Sequence, residues 1–527
     1  MTDRPRIRRS LLIALGCGLV VILSKSLTLP ETALSAYLVL FAARSEAVET
    51  MAVSAGLILA AIAAIFLAIM LVMATAGSPV LRVPVMFAVA FGAMYLARAT
   101  PAGIVAATIG MAIFEVLSIL DYLAYPDLLL RGLFWLVTVV VVPMGVLFLG
   151  AALFGRTARR QLSGLFATRL DAIGQAMVRR DAAAFTACRT LLLSDAADLL
   201  RLRQLADRTG QLHGRMRGRA VALEAGTTRL LADCAAGDPP RDTPANRAAL
   251  ALDEPAPAEA DPRLVALSDT EQQVTEDSSG SEAEGEGAGL FAIKATLSIA
   301  ICYAIFLVLD WPAIHTITIT AFLVCLGSTG ETLHKAALRI GGCLIGAVIA
   351  GFCLFLVIPN LQGIGGLALL TVLVTLPAAW LATGPDRSAY AGLQIALVVY
   401  LSILNTPGPD VDFGIAWGRI VGILLGNLVV ATVFLTIRPA SAAGAIALTL
   451  DRTEAALQSA RRAPDGFRAG LSLNAAAAAL QMARDGLFAL RFEPGTASRY
   501  SALASRADML QHGLLTASRT DRDGEQR

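Results

Sequence analysis

Residues 49–73 read ETMAVSAGLILAAIAAIFLAIMLVM, and residues 331–355 read ETLHKAALRIGGCLIGAVIAGFCLF. Both open on Glu-Thr and run on with no two-residue alternation, long enough to cross a roughly 30 Å hydrocarbon core as one helix. The second stretch follows the first at a spacing of 282 residues, and the same spacing carries Pro30 onto Pro312 and Trp135 onto Trp417 without a gap. Trp135 is the only tryptophan in the first half of a chain that holds four, so its landing on another is a specific coincidence. Each block opens on an apolar run near Leu11 or Ala292, breaks at its proline and closes at Arg156 or Arg438. A hydrophobic multi-helix unit that occurs twice, each copy trailed by a polar helical segment, is the plan of duplicated membrane carriers.

With 56% hydrophobic and 16% charged residues the chain is too apolar for a soluble protein, whose charged share is typically about 25%. Backbone groups in lipid must be satisfied internally, and without alternation helices win over a barrel. The expected fold is therefore an all-α integral membrane protein of two tandem six-helix repeats, each followed by a cytoplasmic helical region. In the first block the spans fall near 10–28, 32–47, 51–75, 82–98, 101–120 and 129–153; in the second, near 291–309, 314–329, 334–358, 364–383, 388–404 and 415–437. The second span of each block is the shortest.

Orientation follows from Lys and Arg at the span ends. Arg4, Arg6, Arg8, Arg9, Arg156, Arg159 and Arg160 share one side with Arg44, Arg98, Lys335, Arg339 and Arg387 if the helices alternate. The opposite loops carry Asp121, Asp127, Asp310, Asp410 and Asp412, with Arg82 and Arg131 as dissenters. Both termini and the middle segment are thus expected in the cytoplasm. The first run shows no small-residue cleavage site and reads as a retained helix.

The domains expected are transmembrane repeat 1 over 1–155, a cytoplasmic helical domain over 156–236, a linker over 237–288, transmembrane repeat 2 over 289–438 and a C-terminal cytoplasmic helical domain over 439–527. Residues 156–236 are free of proline and carry apolar positions three and four apart, such as Leu165, Leu170, Ile173 and Met177. Their fourteen arginines alternate with acids, which suits a helical bundle beside an anionic leaflet and not nucleic acid. From Asp253 to Glu286 eleven acids face one base, Arg263, so the stretch is expected to be disordered. The seven cysteines show no paired spacing, and with four histidines there is no metal or disulfide framework. No catalytic or cofactor-binding residues are expected, and no phosphate-cradling motif supplies an ATPase.

The stretch Glu331 to Gly346, basic and then Gly-rich, and the element Gly418-Arg419-Ile-Val-Gly-Ile-Leu-Leu-Gly426 resemble the third and last helices of the fusaric acid resistance family of bacterial inner-membrane proteins. That family includes aromatic carboxylic acid exporters. The resemblance implies an inner-membrane efflux transporter for anionic, aromatic small molecules, working with a periplasmic adaptor protein, and it suggests a homodimer. Plant malate-channel proteins look distantly similar. The chain departs from the pattern in block one, where Val53 and Leu57 stand at the places of Lys335 and Arg339.

Five residues are candidates for transport. Glu331, Lys335 and Arg339 stand at i, i+4 and i+8 on one helix face, either as snorkelling interfacial anchors or as a cationic admission site for an organic anion, with Arg339 the deepest. Arg419 lies about one turn inside the opposite end of the last span, where a cation needs a partner, Asp412 or Asp310. Glu115 lies inside the fifth span, at the place of Leu397 in block two, as a proton-exchanging carboxylate or a structural acid. His315 and Asp386-Arg387 are lesser candidates at loop edges. Gly341, Gly342, Gly346 and Gly351 suggest close helix packing.

Three functions compete: proton-coupled export, passive conduction of organic anions, and a membrane scaffold without transport. Intramembrane charge that differs between the blocks favours transport, and Glu115 favours coupling. The topology has a direct check. A cysteine placed at Ser279 or Gly280, with the native cysteines removed, should stay unlabelled by an impermeant thiol reagent in intact cells; labelling there reverses the orientation.

Overall fold

The computed structural model describes residues 4–75, 77–100, 103–121, 126–251, 259–265, 267, 287–325, 329–404, 413–438, 441–493 and 495–516. Among these residues the regular structure is helical throughout. The first block holds α1 (Arg4–Ser26), α2 (Thr32–Ala42), α3 (Ala47–Thr75), α4 (Pro79–Ala99), α5 (Gly103–Ile119) and α6 (Pro126–Phe154). The chain continues through α7 (Ala158–Arg179), α8 (Ala182–Ser194), α9 (Ala196–Arg208), α10 (Arg215–Ala235), α11 (Pro244–Ala251) and α12 (Pro262–Val265). The second block holds α13 (Ala288–Leu309), a 3-10 turn at Pro312–His315, α14 (Thr316–Val324), α15 (Thr329–Phe352), α16 (Ile364–Ala382), α17 (Asp386–Ile403) and α18 (Phe413–Thr436). The last helices are α19 (Ala443–Arg462), α20 (Gly466–Leu490) and α21 (Ala497–Thr516).

Among the described residues, eight helices are long and apolar enough to cross a membrane: α1, α3, α4, α6, α13, α15, α16 and α18. Segments expected as full spans at 32–47 and 314–329 are helical over only 11 and 9 residues. At 1.5 Å per residue these helices reach about half of a 30 Å core. The physical cause is the proline that opens each segment, followed by Glu31 in the left-handed region (φ 51°) in one block and by the 3-10 turn in the other. Backbone of this kind survives at membrane depth only inside protein. Accordingly Thr32, Ala33, Ser35 and Ala36 of α2, and Ile317, Thr318, Thr320 and Ala321 of α14, are buried. α2 runs back along α1, with Cys17 Sγ against the Ala36 carbonyl at 3.4 Å.

The chain divides into two compact units, one made of residues 1–155 with 286–440 and the other of 156–285 with 441–527. In the first, each block lends helices to the other. α1 packs on α16, and α13 packs on α4. One apolar core combines Val20 and Val21 of α1 with Leu370 of α16 and Ala396 of α17; the other combines Met86 of α4 and Phe114 of α5 with Ile299 of α13 and Phe322 of α14. Several details recur at the 282-residue spacing. α1 and α13 are followed by left-handed residues, Thr28 (φ 52°) and Asp310 (φ 44°). Gly110 lies against Ala93 where α4 and α5 cross, and Gly392 lies against the Ala378 carbonyl where α16 and α17 cross. Trp135 and Trp417 are both about half exposed, at 54% and 50%, as suits side chains at a lipid interface. A cation of the first helix also meets the end of the sixth in each block, Arg8 Nη2 to the Phe154 carbonyl at 2.9 Å and Lys294 Nζ to the Arg438 carbonyl at 2.6 Å. Cations there satisfy carbonyls that a helix end leaves free.

The two polar helical regions, read from the sequence as separate domains, fold together in the second unit. Leu191, Leu199, Leu230 and Leu231 of the middle segment share a core with Leu457, Leu473 and Ala477 of the C-terminal one. A buried polar network crosses that core. Arg169 of α7, wholly buried, donates Nε and Nη2 to Asp195 at 3.0 and 2.6 Å and Nη1 to Thr228 Oγ1 at 2.8 Å. Glu224 of α10 pairs with Arg203 at 2.5 Å and accepts from Asn474 Nδ2 of α20 at 2.8 Å. Burial pushes the Glu224 carboxyl above its ordinary range even with the Arg203 guanidinium beside it.

The stretch expected to be a disordered linker is folded at its start. α11 and α12 pack onto the second unit, with Leu264 and Leu267 fully buried. Arg263, the one base in the acidic run, holds Asp261 of that run at 2.9 Å together with Asp233 at 2.9 Å and Asp238 at 3.3 Å, which precede it. Residues 252–258 and 268–286 of that stretch lie outside the described residues. Removing one partner of a buried bidentate pair strands the other, which costs about 3–5 kcal/mol. Arg169→Ala in the full-length protein should therefore lower the melting midpoint of the second unit by several degrees, read by circular dichroism or tryptic susceptibility. An unchanged midpoint contradicts the role given to the pair.

Candidate functional site

The first unit brings ionisable residues together in two places, on opposite faces of α14. His315-Thr316-Ile317-Thr318-Ile319-Thr320 places Thr318 and Thr320 two residues apart, hence on roughly opposite sides of a helix. Thr318 faces block one. Its hydroxyl donates to Glu115 Oε1 of α5 at 2.7 Å, while Glu115 Oε2 pairs with His315 Nε2 at 2.6 Å. Ser118, one turn along α5, lies 3.3 Å from the same imidazole nitrogen, and Phe306 meets the ring edge-on at 5.6 Å. The Glu115 side chain is 13% exposed and that of His315 24%, so a carboxylate and an imidazole from different blocks face each other partly shielded from water. The pair can carry one proton more or less, which is the chemistry a histidine beside a carboxylate provides.

Thr320 faces the other way. Arg339 of α15, 1% exposed, donates Nη2 to Thr320 Oγ1 at 3.1 Å and Nη1 to the Tyr390 hydroxyl of α17 at 2.9 Å. Lys335, one turn nearer the helix start, holds Nζ 4.9 Å from the centre of the Tyr390 ring. Glu331 belongs to the same helix, but its side chain lies outside the described residues. Arg339 is thus a buried cation that donates to two neutral hydroxyls.

Arg419 stands elsewhere. Its Nη1 donates to the Leu401 carbonyl in the last turn of α17 at 2.9 Å, and Lys25 Nζ meets the Leu404 carbonyl at 3.1 Å, so two cations cap one helix end. The expected partner Asp412 lies outside the described residues. Thr316 Oγ1 donates to the Arg419 carbonyl at 3.0 Å, which ties this end of α18 to α14. Arg82, a dissenter from the charge bias, is buried in a pair with Asp121, whose other oxygen accepts from Tyr303 of α13 at 2.5 Å. Its charge is neutralised in place.

His315, a lesser candidate by sequence, and Thr318, Thr320 and Tyr390, which the sequence did not single out, lie beside Glu115 and Arg339. The available signal was the threonine alternation after His315, polar residues spaced along a run otherwise apolar. The four glycines of α15 also separate. Gly342 and Gly346 lie on the α17 contact, where an added Cβ would come within 2.9 Å of the Ala391 carbonyl and 3.0 Å of the Ile395 carbonyl; Gly341 and Gly351 face open space. Gly422 and Gly426 of α18 play the same part against Ile314, Thr316, Ile317 and Thr320. Backbones in lipid approach closely through such residues. Gly342→Ala should destabilise by about 1–3 kcal/mol through overpacking, whereas Gly341→Ala should be neutral or stabilising by up to about 1 kcal/mol. Detergent melting curves of the two variants check this, and equal loss in both contradicts the packing.

Residues 300–433 match the family described as fusaric acid resistance protein-like. Among curated proteins, the multidrug resistance protein MdtO of Escherichia coli K12 is 33% identical over 175 residues, which is 33% of this chain and 26% of that protein. MdtO of Shigella flexneri is 34% identical over 154 residues, 29% of this chain and 23% of its own length. The chain aligns with about a quarter of the length of the curated relatives it matches. No solved structure matches. The matched region contains His315, α14, Arg339, Tyr390 and Arg419, and over it the chain is similar to the fusaric acid resistance protein-like family.

Proposed function

We propose that the protein is a bacterial inner-membrane exporter of organic, chiefly aromatic, acids, driven by protons and built from two tandem six-helix repeats. One observation carries the proposal: Glu115 Oε2 and His315 Nε2, contributed by different blocks, stand 2.6 Å apart. A proton-dependent contact between two blocks that move against each other is what coupling requires, because a ligand shifts an equilibrium only by its differential affinity for the two states.

In this scheme Arg339 binds the substrate carboxylate, and Lys335 with Glu331 forms the charged approach to it. Proton binding changes the charge of the Glu115–His315 pair, and Thr318 passes the change to α14. The opposite face of α14 carries Thr320, a partner of Arg339, so one short helix senses both proton and anion. Arg419 holds the end of α17 in position. Shortened apolar segments at matching places in two repeats mark the substrate site of many secondary transporters, and α2 and α14 are such a pair. The recurring glycines, left-handed caps and exchanged packing support the repeat, with α2 and α14 completing twelve passages together with their non-helical flanks.

The Lys and Arg bias supports cytoplasmic termini and a cytoplasmic second unit. The family resemblance supports a periplasmic adaptor protein and a homodimer as partners, and the name of the MdtO relatives supports export of toxic compounds.

The test is uptake of a radiolabelled aromatic acid into vesicles reconstituted with the full chain, with and without a pH gradient. A gradient should accelerate transport at least tenfold in the wild type, and Glu115→Gln, which keeps the side chain's size, should abolish the acceleration while inserting normally. Arg339→Ala should raise the half-saturating concentration. Arg339→Lys should fail to restore it if the contact is bidentate. Gradient-driven transport by Glu115→Gln at the native rate makes Glu115 structural and moves the assignment to a passive channel.

A further inference from the structure

Beside Arg339 the structure leaves a set of polar atoms without partners. Gln394 of α17 is wholly buried, and neither its Nε2 nor its Oε1 makes a hydrogen bond. Asn427 of α18 is 1% exposed; its Nδ2 donates to the Ile423 carbonyl at 2.8 Å while its Oδ1 has no partner. The Nε of Arg339 itself is also unmatched. These atoms belong to one seam. Gln394 follows Tyr390 by one turn, and its Cβ lies over Gly342, three residues past Arg339. Cys343 shares an apolar cluster with Val398, Ile420 and Ile423, and Thr320 touches both Arg339 and the backbone at Gly426. α15 and α18 therefore run antiparallel here, and one turn beyond Ile423 brings Asn427 to the level of Arg339.

An unmatched amide in a membrane-embedded core costs several kcal/mol relative to an apolar side chain. Gln394 fills that position with no structural partner in return, and unsatisfied buried groups of this kind point to a missing ligand. The unmatched atoms also state what the ligand is. Arg339 Nε and Gln394 Nε2 are donors, and they fit the oxygens of a carboxylate. Gln394 Oε1 and Asn427 Oδ1 are acceptors, and a bare carboxylate gives them nothing.

We infer that Gln394, Asn427 and Arg339 form a subsite for anions that carry a hydrogen-bond donor close to the carboxylate, as in a 2-hydroxy acid. Arg339 and the Gln394 amide nitrogen take the carboxylate, and the one hydroxyl proton is shared between the two amide oxygens in a three-centre bond. Gln394 and Asn427 therefore set specificity, while Arg339 supplies affinity for every anion. This rests on the transport of organic acids proposed above and extends it to a preference that Arg339 alone cannot produce. A site with buried acceptors rejects an analogue that lacks the donor, because the acceptors are then left unpaired.

Two aromatic acids that differ by one hydroxyl beside the carboxylate, mandelate and phenylacetate, test it in vesicles reconstituted with the full chain. The wild type should show at least a tenfold lower half-saturating concentration for mandelate. Asn427→Leu should erase the preference and leave the phenylacetate value within about twofold; Gln394→Leu should erase the preference and also weaken both acids, since its nitrogen holds the carboxylate; Arg339→Ala should weaken both acids. Gln394→Leu should also raise the melting midpoint, since it removes an unmatched amide from an apolar core. If both acids are carried and the wild type treats them alike, or if Gln394→Leu keeps the preference, the subsite is wrong and organic-acid transport stands. A lower melting midpoint in Gln394→Leu means that the amide is satisfied structurally, which also overturns the subsite. If neither acid is carried, the transport assignment falls and the subsite falls with it.

Discussion

Charge inside a membrane must be matched or functional, and most of the membrane unit can be read as the working out of that constraint. Arg82 is matched by Asp121, and Lys294, Lys25 and Arg419 by carbonyls at helix ends. These pairings are structural: each cation supplies the hydrogen bonds that a terminal turn lacks. Glu115 with His315, and Arg339 with its two hydroxyl partners, are different in kind. The first joins a carboxylate and an imidazole from different blocks, and the second keeps a guanidinium in the core against two hydroxyls.

α14 gives these two sites a common element. It is too short to cross the bilayer, and it is wedged between α5 of one block and α15 and α18 of the other. Glycines at 422 and 426 let α18 approach it to backbone contact, so a shift of α14 cannot be absorbed by side-chain rearrangement alone. Its alternating threonines meet different partners, Thr318 the Glu115 carboxylate and Thr320 the Arg339 guanidinium.

Much of this was legible in the sequence. The apolar runs announced membrane helices, and the 282-residue register aligned Pro30 with Pro312 and Trp135 with Trp417. Glu115 and Arg339 stood out because ionisable residues in apolar runs are costly. Their partners did not. His315 sat beside a proline at an apparent loop edge, and only the fold carries it 200 residues back to Glu115. Gln394 and Asn427 are uncharged and drew no notice, since a buried amide is informative only once its hydrogen bonds can be counted. The half-length of α2 was legible in part, since Arg44, Ser45 and Glu46 follow soon after its last helical residue, Ala42. Composition also cannot show that Arg263 gathers three aspartates spread over 29 residues of chain.

The central claim is that proton and organic anion move through one protein in a coupled cycle. It is tested most directly by following protons, with a pH-sensitive dye inside reconstituted vesicles, while an outward gradient of an aromatic acid is imposed at a pH well above that acid's own pKa. The account requires proton movement opposite to the anion, in fixed ratio to it, and lost when Glu115 is replaced by Gln. Anion movement with no accompanying proton flux contradicts it.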